Sequence, residues 1–183
     1  MTPARFSPLQ RLFHWVMAAC ILAMLFIGVG MVSTISTRYL TLVSIHKPLG
    51  IAILVLAVLR LFLRFRRGAP PLPADLPEPM KLAAHLSHLA LYALMIIMPL
   101  LGWAMLSAEG LPVLLSSSLR LPPIAPQQPE LYALLRSAHG YLAYAFFAVI
   151  LLHLGAALYH ALVRRDGVFE AMAPVPTRTL TDP

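Results

Sequence analysis

Residues 134–163, LLRSAHGYLAYAFFAVILLHLGAALYHALV, decide the fold. The stretch carries one charged side chain, Arg136, and no strand-like alternation. An α-helix needs about 20 apolar residues to cross the hydrocarbon layer, and it satisfies its own backbone hydrogen bonds there. Three stretches of the same character precede it, at 13–32, 39–63 and 82–106. With their flanking caps and breakers they predict spans over about 8–33, 38–65, 80–106 and 132–164. The expected fold is an all-α integral membrane protein, a four-transmembrane-helix bundle, with 1–183 forming a single membrane domain.

Composition points the same way. Of 183 residues 60% are hydrophobic and 11% charged, with a mean hydropathy of +0.80. Soluble domains hold about 45–50% apolar and about 25% charged residues. A water-soluble core of this length could not hide so much apolar surface, so the lipid bilayer is the second solvent. The formal charge of +7 does not indicate nucleic acid, because the basic residues gather at span ends rather than along one soluble face. Cys20 stands alone, so no internal disulfide forms. Met17-Ala18-Ala19-Cys20 loosely resembles a lipobox, but too little apolar sequence precedes Cys20 for a signal peptide. The first segment is expected to be a retained span.

Ser7-Pro8 reads as an N-cap followed by proline at the first helical position. Ser36 or Thr37 is the expected cap of the second helix, and Pro48 and Pro99 fall inside helices two and three. The connector Arg66-Arg67-Gly68-Ala69-Pro70-Pro71-Leu72-Pro73 is stiff and proline-rich. The segment from Ser107 to Glu130, with Ser116-Ser117-Ser118 and Pro122-Pro123, is expected to be a loop with a short surface helix. Lys and Arg set orientation. Arg5, Arg11, Arg60, Arg64, Arg66, Arg67, Lys81, Arg164, Arg165 and Arg178 fall on one side, against Arg38, Lys47, Arg120 and Arg136 on the other. Both termini are therefore expected to be cytoplasmic.

All seven histidines, His14, His46, His85, His88, His139, His153 and His160, lie in or at the ends of the spans. Ionisable residues inside membranes are costly and usually functional, whereas one histidine at a helix end often only reaches the interface. His139 and His153 are 14 residues apart on one helix, which puts them on nearly one face and about 21 Å apart. A single zinc or copper site would need its histidines far closer. Two haems at different depths need that separation. His46 lies near the outer end of helix two, as His139 does on helix four, so these can share an outer haem. His14 lies about 9 Å into helix one from the cytoplasmic side, and His153 reaches the same depth, so these can share an inner haem. Gly28, Gly50, Gly140 and Gly155 would let a flat ring approach the backbone, or simply let helices pack. Lys47, Arg136 and Arg11 are candidates to meet haem propionates, or plain interfacial anchors. His85, His88 and His160 cluster on the inner side, where one of them is an alternative to His14. His88 and His160 otherwise suit a quinone site that handles protons, since a neutral imidazole can give or take one.

The ordered set Gln10-Arg11-Leu12-Phe13-His14-Trp15, His46-Lys47-Pro48-Leu49-Gly50, Ala84-His85-Leu86-Ser87-His88-Leu89-Ala90-Leu91-Tyr92, His139-Gly140, His153 and Tyr159-His160-Ala161-Leu162-Val163-Arg164-Arg165-Asp166-Gly167 resembles the bacterial di-haem cytochrome b561 family over nearly the whole chain. The resemblance implies a four-helix bundle with two bis-histidine b haems, pairing His14 with His153 and His46 with His139. It departs from the family at Pro48, where a serine is common, and at Ala161, where some relatives have a second histidine. Stand-alone members resemble superoxide:ubiquinone oxidoreductases. The resemblance therefore implies an oxidoreductase taking electrons from superoxide outside and delivering them to ubiquinone. The alternative is a cytochrome b electron-transfer subunit of a hydrogenase-like or other respiratory complex, with a partner protein as donor. A histidine-lined metal transporter fits less well, because Asp75, Glu78, Glu109, Glu130, Asp166, Glu170 and Asp182 all fall outside the spans.

Overall fold

A computed structural model of the chain describes residues 5–115 and 118–173. Ser116, Ser117, Arg178 and Asp182, which entered the reading above, lie outside the described residues. Four long helices dominate: α1 (Pro8–Val32), α2 (Arg38–Arg67), α3 (Glu78–Glu109) and α4 (Pro129–Tyr159). The last continues through a π-helical turn, His160–Arg164, and a short α5 (Val168–Met172) follows. All four long helices are apolar and long enough to cross a membrane. The chain is a multi-pass membrane protein.

The ends of the helices follow local chemistry. Ser7 caps α1 reciprocally with Gln10: its hydroxyl accepts from the Gln10 N–H, and its own N–H donates to Gln10 Oε1 at 3.1 Å. Gln10 is buried and also donates through Nε2 to the Gly68 carbonyl at 2.9 Å, so the start of α1 is tied to the end of α2. Thr37 holds the N-cap position of α2 without a side-chain bond, while the Ser36 hydroxyl accepts from the Arg38 N–H at 3.3 Å. Pro48 and Pro99 sit inside unbroken α2 and α3.

The expected surface helix between α3 and α4 is absent among the described residues. In its place are β1 (Val113–Leu114) and β2 (Arg120–Leu121), paired antiparallel. Pro112, Pro122 and Pro123 explain the difference, since proline holds the chain extended and disfavours helix in the residue before it. The Pro122 carbonyl accepts from Trp103 Nε1 at 2.9 Å, which folds this loop back onto the end of α3.

Side-by-side packing joins α1 to α2, α2 to α3 and α3 to α4. No comparable seam joins α4 to α1 or α2. At one end of the bundle α5 closes over the start of α1. The Ala171 carbonyl accepts from the Phe6 N–H at 3.1 Å, Met172 from Trp15 Nε1 at 2.9 Å and Ala173 from Arg11 Nη1 at 3.0 Å. The N-terminal segment and α5 thus share one end. The core is a single layer with one side chain from each long helix: Met17, Ala57, Met95 and Phe146. Large apolar side chains such as Phe26, Phe65, Leu152 and Leu162 point outward, as a lipid-facing surface requires.

Candidate functional site

The gap beside α4 is bridged by imidazoles. His46 of α2 and His139 of α4 face each other with ring centroids 6.2 Å apart. His14 of α1 and His153 of α4 do so at 6.3 Å. Phe146 lies seven residues from both His139 and His153, so the apolar layer of Met17, Ala57, Met95 and Phe146 separates two tiers of histidine. Each tier joins helices that do not otherwise pack together.

These distances fit a metal held between two rings. A metal–imidazole bond is about 2 Å, and the coordinating nitrogen lies ~1.1 Å from its ring centre, which puts two in-line rings about 6 Å apart. The Nδ1 atoms of His14 and His46 are buried without a hydrogen-bond partner. A polar atom left so costs about 1–3 kcal/mol, which a bound group would offset. The missing α4 seam supplies room for a flat macrocycle. A Cβ added at Gly28 would meet nothing within 4 Å, and one at Gly50 would meet only Met24 Cε at 3.8 Å, whereas Gly140 and Gly155 are exposed. The residues present therefore fit a haem at each tier.

Gly102, which the sequence reading did not single out, adjoins the outer tier. A Cβ there would stand 3.4 Å from His139 Cε1 and 3.7 Å from Nδ1, so glycine lets the imidazole lie against α3. Nothing in one sequence marks this glycine, because the approach comes from α4 across a long loop.

The other histidines separate. His88 stacks edge-on to His153 with centroids 5.5 Å apart. His85 is exposed and spends Nδ1 on the carbonyl of Lys81, one turn back, at 2.7 Å. His160 Nδ1 lies 2.8 and 3.0 Å from the two carboxylate oxygens of Asp166. No ring contact or hydrogen bond joins His160 to His88. The candidate propionate partners are engaged at two positions: Arg11 with the Ala173 carbonyl, and Arg136 Nη1 with Tyr132 Oη at 2.8 Å.

Asp166 organises the turn after α4. Besides His160 it accepts from Arg164 Nε at 2.8 Å and from the Val168 N–H at 3.3 Å, while Arg164 Nη2 donates to Asp75 at 2.7 Å. Burial pulls the Asp166 carboxyl upward, but the hydrogen bonds from Arg164, His160 and Val168 outweigh it and hold the group below its usual 3.8. A carboxylate only accepts, so His160 Nδ1 carries the shared hydrogen and Nε2 is left as the exchangeable site. A depressed folded value means that the cluster's contribution is complete above pH 3.8 and is lost as pH falls through the lower, folded value. Asp166→Asn is expected to cost about 2 kcal/mol near neutral pH and to flatten that acid limb. Thermal melts of the detergent-solubilised protein against pH check both.

Arg60 is one of the basic residues counted toward the cytoplasmic end. Its guanidinium does not reach for the aqueous side but turns into the bundle, with Nη1 3.8 Å from Met17 Sδ and the charge centre 5.5 Å from the Tyr92 ring centroid. Its position was readable: Arg60 follows His46 by 14 residues, the interval that separates His139 from His153.

Comparison with known proteins agrees in kind. The family profile described as prokaryotic cytochrome b561 matches residues 5–174. Cytochrome b561 homolog 2 of Escherichia coli (strain K12) is 28% identical over 174 residues, covering 93% of this chain and 92% of its own. Cytochrome b561 homolog 1 of the same organism is 28% identical over 178 residues, covering 93% and 97%. A probable superoxide oxidase CybB of Yersinia pestis is 35% identical over 131 residues, covering 71% and 73%.

Proposed function

Because the chain belongs to the prokaryotic cytochrome b561 family and is thus a membrane electron-transfer protein, we propose that it binds two b haems and oxidises superoxide at the outer face while reducing ubiquinone in the membrane. The observation that carries this reading is the pair of cross-gap histidine couples, 6.2 and 6.3 Å between ring centres. Bound there, the haems supply two one-electron carriers at two membrane depths. His46 and His139 would hold the outer iron, and His14 and His153 the inner one. The 5.5 Å between His88 and His153 is short for two rings with a metal in line, and favours His14 as the inner partner.

Superoxide is an anion, and the outer end offers Arg38, Lys47, Arg120 and Arg136 against Glu109 and Glu130. A shallow exposed groove on α4, lined by Arg136, Ser137, Gly140, Tyr141 and Tyr144, lies at the same end of the bundle as His139. Arg136 is the cation of that groove. Two superoxide anions give up one electron each and leave as dioxygen, and one ubiquinone takes both electrons with two protons. His160, with Nδ1 held by Asp166, supplies protons through Nε2, and His88 lies between that end and the inner iron ligands. Both termini and the quinone side are cytoplasmic, and the membrane is the bacterial inner membrane.

A reduced-minus-oxidised spectrum with haem quantitation tests the reading. Two b haems per chain, reduced by a superoxide pulse and reoxidised by a soluble ubiquinone analogue, are expected. Absence of haem refutes the proposal, and two haems that superoxide leaves oxidised transfer the role of donor to a docked protein. Charge reversal at Arg136 (R136E) should slow superoxide reduction about tenfold at low salt and far less at high salt. Stopped-flow traces at two ionic strengths would show it.

A further inference from the structure

We propose that Arg60 is a fixed positive charge that makes the inner haem position the easier of the two to reduce. This rests on the two-haem reading above. The first observation is depth: α2 and α4 run in the same direction, His46 pairs with His139, and Arg60 and His153 each follow 14 residues later, about 21 Å on. The second is direction. Arg60 Nη1 reaches Met17 Sδ, one turn from His14, and the guanidinium lies over Tyr92, one turn from His88. Arg60 follows the fully buried Ala57 by three residues, so it stands just beneath the apolar layer.

No salt bridge neutralises Arg60 among the described residues, and another cation, Arg64, follows one turn nearer the aqueous end. A lone cation facing the interior of a membrane bundle is expensive and is retained where function uses it. One-electron reduction adds one negative charge at the inner position. In a low-dielectric interior a guanidinium at the same depth favours that added charge, and favours an anionic propionate for the same reason. At the outer end Arg38, Arg120 and Arg136 are all exposed, so none of them turns inward toward His46 and His139 as Arg60 turns toward the inner tier. The asymmetry points inward, in the direction the proposed electron flow requires.

Spectroelectrochemical titration of the purified full-length protein, with Arg60→Gln and Arg60→Lys, tests the assignment. R60Q should keep two haems and shift one midpoint negative by at least a tenfold change in its reduction equilibrium, about 59 mV for one electron. R60K keeps the charge and should stay near the wild-type value. In the H139L background, which isolates the inner position, the same shift should appear in the single remaining midpoint. R60Q with two haems and both midpoints unchanged overturns the proposal, and so does R60K falling as far as R60Q. Loss of one haem in R60Q with full retention and wild-type midpoints in R60K supports the charge role. A wild-type protein without haem would instead remove the function proposed above.

Discussion

Replacing His139 with leucine should leave the purified chain with one haem in place of two. The leucine occupies similar volume but offers no ligand, and it strands His46 across the α4 gap, where its Nδ1 already has no protein partner. The inner couple, in the other tier behind Phe146 and Met17, has no contact with the change. His46→Leu should give the same single haem, and so should the double variant, because both residues serve one site and their effects do not add. Pairing His139→Leu with His14→Leu should remove both. Pyridine haemochrome quantitation distinguishes these results. A chain that keeps two haems without His139, or a His46/His139 double variant that keeps none, would break the proposed pairing.

The second large effect concerns the inner couple. His153→Leu should retain an outer haem that superoxide still reduces, yet quinone reduction should fall by at least about 100-fold, equivalent to roughly 2.7 kcal/mol of barrier. Superoxide-driven bleaching and quinol formation, followed together, separate the two halves of the reaction. His88→Leu is the informative comparison, since its ring lies closer to His153 than that of His14. Two haems should survive there. Loss of one would give His88 the ligand role assigned to His14.

Much of this arrangement was legible before any coordinates. Span lengths followed from bilayer thickness, and the 14-residue interval on α4 followed from helix geometry alone. Pairing between helices was legible only as equal depth. What the sequence withheld were approaches between distant segments: Gly102 against His139, Asp166 turning back on His160, and α5 closing over Trp15. The hairpin of β1 and β2 was missed because a serine- and proline-rich loop carries no periodicity to read. The direction of the Arg60 side chain was not legible for a different reason. Counting Arg60 with the terminal arginines used its sequence neighbourhood, while its side chain follows the helix face it shares with His46.

The layer of Met17, Ala57, Met95 and Phe146 has a bioenergetic consequence. It contains no titratable or hydrogen-bonding chain by which protons could follow electrons from one tier to the other. Under the proposed direction, negative charge moves inward across this dielectric septum, while the protons that neutralise the quinol come from the side where the electrons arrive. Turnover is then electrogenic. A membrane already negative inside opposes it by about 2.3 kcal/mol per electron for each 100 mV, so the energised state of the cell itself would throttle the reaction.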